Sequence, residues 1–174
     1  MKNLFTSISM VLIIACTAPS VYAQNTKADK KAAKEAAVAK LINSRYYLFV
    51  ANMAFPQGGG SRSLSGSNYD LKISKNSVIA YLPYFGRMYS APMDASDGGI
   101  KLTSTKFSYD EKQDKKGGWN ILIKPVEPST SGSKDVLSYR LSIAASGSAS
   151  LMVTSQNRQP ISFDGYVTMP EKEN

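Results

Sequence analysis

The spacing of apolar residues along this chain changes period once, at Arg45. Before it, "KADKKAAKEAAVAKLIN" at 27–43 is built from alanine and lysine with no Gly or Pro, which predicts a helix. Ala37, Val38, Leu41 and Ile42 cluster on one side, so only the last two turns have much to bury, and the expected helix has a frayed start and a docked end. After Arg45 the period is two. "YYLFVANMAF" carries apolar residues on both faces, the mark of a long strand covered on both sides. "QGGGSRSLSGSN" has no core-forming pattern and reads as a mobile loop.

Short alternating runs follow. Tyr69, Leu71 and Ile73 share a face; Val78, Ala80 and Leu82 form the next set, with Ile79 and Tyr81 opposite. Ile100 and Leu102, then Phe107 and Tyr109, then Trp119, Ile121 and Ile123 continue the pattern. Leu137, Tyr139, Leu141 and Ile143 read as one period-two set, followed by Ala149, Leu151 and Val153, and by Ile161, Phe163 and, past Gly165, Val167. Turn signals separate these runs: Lys75-Asn76-Ser77, "DKKGG" at 114–118, "ASGS" and "QNRQ". No connection is long or helical enough for parallel crossovers. The pattern therefore predicts an all-β domain: one N-terminal helix, then eight or nine antiparallel strands in an up-and-down barrel, whose closure removes exposed edges. A sandwich is the alternative.

The first residues read as a targeting device. Lys2 precedes a mostly apolar run from Leu4 to Ala15, and Val21-Tyr22-Ala23 fits signal peptidase, with the cut between Ala23 and Gln24. In a competing reading, Ile13-Ile14-Ala15-Cys16 makes Cys16 a lipidated N-terminus, which anchors the protein to a membrane. The organisation is a leader at 1–23, a helical segment at 24–44, a barrel at 45–168 and a tail at 169–174. The expected location is exported, periplasmic or secreted, with membrane contact only if Cys16 is lipidated.

Composition narrows the chemistry. Cys16 is the one cysteine, so no disulfide framework exists and stability rests on a core. There is no histidine, which removes the commonest general base and metal ligand. Carboxylates remain: a glycosidase pair could be assembled from distant acids, although no spacing argues for one. Asp94 and Asp97 are a weak calcium hint and fit ordinary turn chemistry better. The reading is a non-enzymatic protein without cofactor. The formal charge is +8, and Lys27, Lys30, Lys31, Lys34, Lys40 and Arg45 concentrate it near the helix. This stretch reads as a solvated helix face, with a membrane-surface patch as the sharper alternative. For an exported chain, envelope surfaces, glycans or small molecules are the expected partners, ahead of nucleic acid.

"YLPYFGRMYSAP" at 81–92 holds the most distinctive side chains. Pro83 ends a strand, Gly86 permits a turn, and Tyr84, Phe85, Arg87 and Tyr89 leave the sheet at one end. As a lid, at least two of the three rings turn inward and plug the barrel; as a rim, they and Arg87 hold a ligand. Arg62 and Arg158 are secondary candidates. The functional reading is a cell-envelope binding protein holding a small amphipathic or anionic ligand or a glycan fragment at one barrel end. A filled barrel acting as a structural or interaction protein through its basic helix and loops is the alternative, and a carboxylate hydrolase a weaker one.

The same stretch, with "GGI" at 98–100, "GGW" at 117–119, "FPQGGGSRSL" and "SGSASLMVTSQNRQPISFDGYV", resembles an exported Bacteroidetes family catalogued as a domain of unknown function (DUF4251). The resemblance runs from about residue 30 to 168. It implies a lipocalin-like β-barrel and an envelope location, and it brings no activity, cofactor or catalytic residue.

Overall fold

The computed structural model describes residues 26–89, 98–126, 131–132 and 135–171. Helix α1 (Thr26–Asn43) comes first. Ser44 and Arg45 close it by donating to the carbonyls of Lys40 and Ile42, and Arg45 takes a left-handed backbone (φ 51°) that swings the chain into the sheet. The strands are β1 (Tyr47–Pro56), β2 (Arg62–Ser63), β3 (Asp70–Ile73), β4 (Val78–Pro83), β5 (Gly99–Ser104) and β6 (Phe107–Gln113). They continue with β7 (Trp119–Pro125), β8 (Ser131–Gly132), β9 (Val136–Ile143), β10 (Ser148–Ser155) and β11 (Ile161–Thr168).

All pairings are antiparallel, in the order β6-β7-β9-β10-β11-β1-β3-β4-β5. Setting aside the two-residue β2 and β8, successive strands pair with one another except β5 and β6, and β1 pairs with β11. The two ends of the ladder, β5 and β6, are joined in the chain by Thr105 and Lys106 alone, so the sheet wraps back on itself. β8, from the β7–β9 connection, hydrogen-bonds the outer edge of β5 at Leu102 and Thr103. The result is the expected barrel, nearly closed, with its seam at the β5–β6 bend.

The interior is filled by side chains. Tyr47, Phe49, Tyr139 and Phe163 are fully buried, with Ile42, Leu71, Ile73, Leu82, Ile100, Ile121, Ile123 and Leu141 around them. Trp119 belongs to this core, 3% exposed, where its strand pattern puts it. The Tyr47 and Tyr109 hydroxyls lie 3.1 Å apart, and the Arg45 guanidinium stands 4.6 Å over the Tyr109 ring. Burial is the main cause that pushes the Tyr109 hydroxyl up to about 12, and it raises Tyr47 further.

Two bulges correct the sequence pattern. In β9–β10 the register shifts between Thr154 and Ser155, so Val136 is buried and Leu137 stands 51% exposed, against the period-two reading. In β1–β11 it shifts between Ala51 and Met53. Opposite it, a side chain on Gly165 would run into the Val50 carbonyl, which is why the strand carries glycine there. Tyr69 also departs from its expected face and stacks on Tyr81 outside the barrel, centroids 5.5 Å apart. The segment after β1 is less featureless than its composition: Leu64 is 4% exposed and donates its N–H to the Asn52 carbonyl.

The strand directions sort the connections. Helix α1 covers the end that holds the turns at 74–77, 114–118 and 144–147, with Val38 against Gly147 and Val167. The connections after β1, β4, β7 and β10 gather at the opposite end, termed the loop end here. The leader sites Cys16, Ala23 and Gln24 lie outside the described residues.

Candidate functional site

The loop end is organised by two residues the sequence ranks differently, Tyr84 and Arg158. Tyr84 follows the buried Pro83 and folds back beneath the turn; its hydroxyl donates to the Arg87 carbonyl (2.6 Å) and lies 3.1 Å from the Gln159 carbonyl. This fold-back needs Gly86. Its backbone is not left-handed; instead, a Cβ there would fall on the Tyr84 hydroxyl. Burial raises the Tyr84 hydroxyl above its ordinary value, opposed by the Gln159 hydrogen bond and the Arg158 charge.

Arg158, in the β10–β11 turn, is 7% exposed. Its Nε donates to Asp135 Oδ2 (3.1 Å), its Nη1 donates to the Gly99 carbonyl (2.7 Å), and its guanidinium lies 5.4 Å from the centre of the Tyr84 ring. One side chain thereby ties together the connections after β4, β7 and β10. A buried guanidinium needs such an acid and carbonyl. The structure thus uses Arg158 as a framework residue. Asp135, its partner, has no signal in the sequence; the β9–β10 hairpin brings it beside Arg158, with Ser155 opposite Val136 and Gln156 donating to the Asp135 carbonyl.

Deeper in, the Tyr139 hydroxyl is buried and has no hydrogen-bond partner among the described residues. Burial first, and then the Asp135 charge, hold it far above the usual tyrosine range, with Arg158 opposing.

On this frame the 84–89 segment is pinned by its backbone. Tyr89 donates to the Asn157 carbonyl (2.8 Å), Gln159 donates to the Arg87 carbonyl (3.1 Å), and Met88 bridges Arg158. Between these anchors Met88 packs against the core, and Phe85, Arg87 and Tyr89 stand exposed. Phe85 is 38% exposed, Tyr89 67%, and Arg87 is exposed. The expectation that at least two of the three rings turn inward therefore fails: Tyr84 alone is buried. Pinned to the 157–159 turn, the segment turns Tyr84 and Met88 towards the core and leaves Phe85 and Tyr89 exposed. Arg62, on the exposed β2, places its guanidinium 5.0 Å from the centre of the Phe85 ring. Of the six candidates, Arg62, Phe85, Arg87 and Tyr89 are exposed at the loop end, with Arg62 over Phe85, and Tyr84 and Arg158 are buried and hold the backbone there. Asp94 and Asp97 lie outside the described residues, and among the described residues no group of acids, cysteines or histidines is placed to hold a metal.

Sequence reasoning missed a second feature, on the outer wall. A groove of about 520 Å³ runs over β1, β3 and β11, floored by Leu48 and Val50 and flanked by Tyr69, Asp70, Tyr166 and Met169. The signal is the apolar outer face of β1, which among the described residues is flanked by these neighbours and by no second layer. Burial raises the Asp70 carboxyl above its ordinary value, with Lys72 opposing.

The fold is a nearly closed antiparallel β-barrel preceded by one helix. Residues 29–167 match the family described as "Domain of unknown function (DUF4251)", and the chain belongs to that family. A crystal structure of a DUF4251 family protein from Bacteroides eggerthii DSM 20697 superposes with a TM-score of 0.60 at 14% identity, over 80% of this chain and 91% of that one. At that identity the likeness concerns the fold. No curated protein matches the chain.

Proposed function

We propose that this protein is a non-enzymatic binding protein of the cell envelope, holding a small amphipathic or anionic ligand, or a glycan fragment, on the loop end of its barrel. The observation that carries this reading is the exposed group Arg62, Phe85, Arg87 and Tyr89 on a backbone already fixed by hydrogen bonds and by the buried Arg158–Asp135 pair. Two guanidinium groups offer forked donors to a carboxylate, sulfate or phosphate, and two rings offer flat apolar faces. Little ordering remains to be done on binding, which favours affinity. The filled interior supports a ligand on the end of the barrel and not inside it.

The exposed rings also favour a second reading, a contact surface for a protein partner. Calorimetric titration with dodecyl phosphate, below its micelle concentration, and with the uncharged dodecyl maltoside separates the cases. The proposal expects binding of the phosphate alone, lost in the Arg62→Ala/Arg87→Ala double variant at unchanged melting temperature. Equal binding of both detergents, or full binding by the variant, contradicts it. Heat from neither, with concentration-dependent self-association or a captured partner, favours the second reading.

A further inference from the structure

Helix α1 is longer than its docking requires. Its eighteen residues span about 27 Å at 1.5 Å per residue. Val38 and Ile42 are buried and Ala39 and Leu41 pack against the core, all in the last two turns. Residues 27–34 are exposed throughout. The amino-terminal turns therefore run past the helix-covered end of the barrel with none of the described residues packed on them.

The lysines of this overhang are not on the face where a docked helix ordinarily carries its charges. Spacings of three and four residues place Lys27, Lys31, Lys34, Val38 and Ile42 on a single stripe, with Lys30 beside it. The stripe is apolar where it meets the barrel and basic where it overhangs. Asp29 lies on the far side, and Lys31 shares a long, exposed contact of 3.9 Å with Glu35. Between the lysines stand Ala28, Ala32 and Ala33, too small to hold a flat surface away. The overhang has no large apolar side chain to insert among acyl chains, in contrast to an amphipathic membrane helix.

We propose that this stripe is a docking surface for the anionic headgroups of a phospholipid bilayer. Charge complementarity is the first argument. The second is position: residues 27–34 are exposed and lie before the docked turns at Val38–Ile42, so the lysines stand clear of the sheet on the side of the helix that continues its docked stripe. Among the described residues no helix is long and apolar enough to cross a membrane, so the contact is peripheral and electrostatic. Docked this way, the helix end faces the bilayer and the loop end with Arg62, Phe85, Arg87 and Tyr89 faces away from it.

Residues 24–174, which contain the whole described fold, test this by co-sedimentation with vesicles of phosphatidylglycerol mixed into phosphatidylcholine and with pure phosphatidylcholine. The expected result is binding to the first alone, weakening with added salt. Replacing Lys27, Lys30, Lys31 and Lys34 by Gln should cost roughly two to three orders of magnitude in affinity, from the usual contribution of a lysine near an anionic surface. The same four changed to Arg should bind like the native chain. All three proteins should share one melting temperature, because these side chains touch no core. Absence of binding to the anionic vesicles, or undiminished binding by the Gln variant, overturns the proposal. So does loss of binding in Arg62→Ala/Arg87→Ala, which would mean that the loop end meets the membrane. Binding to a soluble acidic polysaccharide without binding to the vesicles overturns it as well.

Discussion

Arg158 and Asp135 form a buried pair whose Nε–Oδ2 distance is 3.1 Å, with both side chains mostly shielded from water. Removing one partner of such a pair leaves the other charge buried and uncompensated, typically a loss of about 3–5 kcal/mol. Asp135→Ala should therefore destabilise by about that amount in urea unfolding. A midpoint within error of the native protein would show that Arg158 is not a framework residue.

Gly86→Ala should destabilise by about 1–3 kcal/mol, since its Cβ displaces the Tyr84 ring and hydroxyl. The same change made in a Tyr84→Ala background should cost almost nothing. A double-mutant cycle measures this coupling. Equal costs in the two backgrounds would place the origin in the backbone instead.

Trp119→Ala should cost about 3–5 kcal/mol, as for other buried large-to-small changes. The residue is 3% exposed and pairs with Ile143 across β7 and β9. Unfolding curves that superpose on the native ones would contradict its core role.

Tyr109 sets an alkaline limit. Its folded-state value of about 12 lies above the ordinary 10.0, mainly because burial disfavours the phenolate. The neutral hydroxyl therefore stabilises the fold fully below pH 10 and loses that contribution as pH rises towards about 12. Tyr47 and Tyr139 are raised by burial as well and act in the same direction. Tyrosinate absorbance should show these rings ionising together with loss of the near-ultraviolet circular dichroism. Ionisation of all ten tyrosines near pH 10 in a folded protein would contradict this.

The barrel was legible because its strands are local. Val78, Ala80 and Leu82, or Ile121 and Ile123, announce a buried face by alternation alone, and hairpin-length turns then leave few ways to pair them. Leu137 was misread because a bulge adds a residue without any change in composition. The site was legible in its residues and not in their roles. Arg158 and Arg87 look alike in sequence, and what separates them is Asp135, which reaches Arg158 only through the register of the β9–β10 hairpin. Gly86 read as a turn residue, whereas its role depends on where the Tyr84 ring lies.

Native mass spectrometry of the protein purified from its own host tests the central claim most directly. The account predicts a small-molecule adduct on the native chain that disappears in Arg62→Ala/Arg87→Ala, while the charge-state distribution of a folded monomer is retained. An adduct of the same mass and occupancy on both proteins, or none on either, would contradict a ligand held by the loop end.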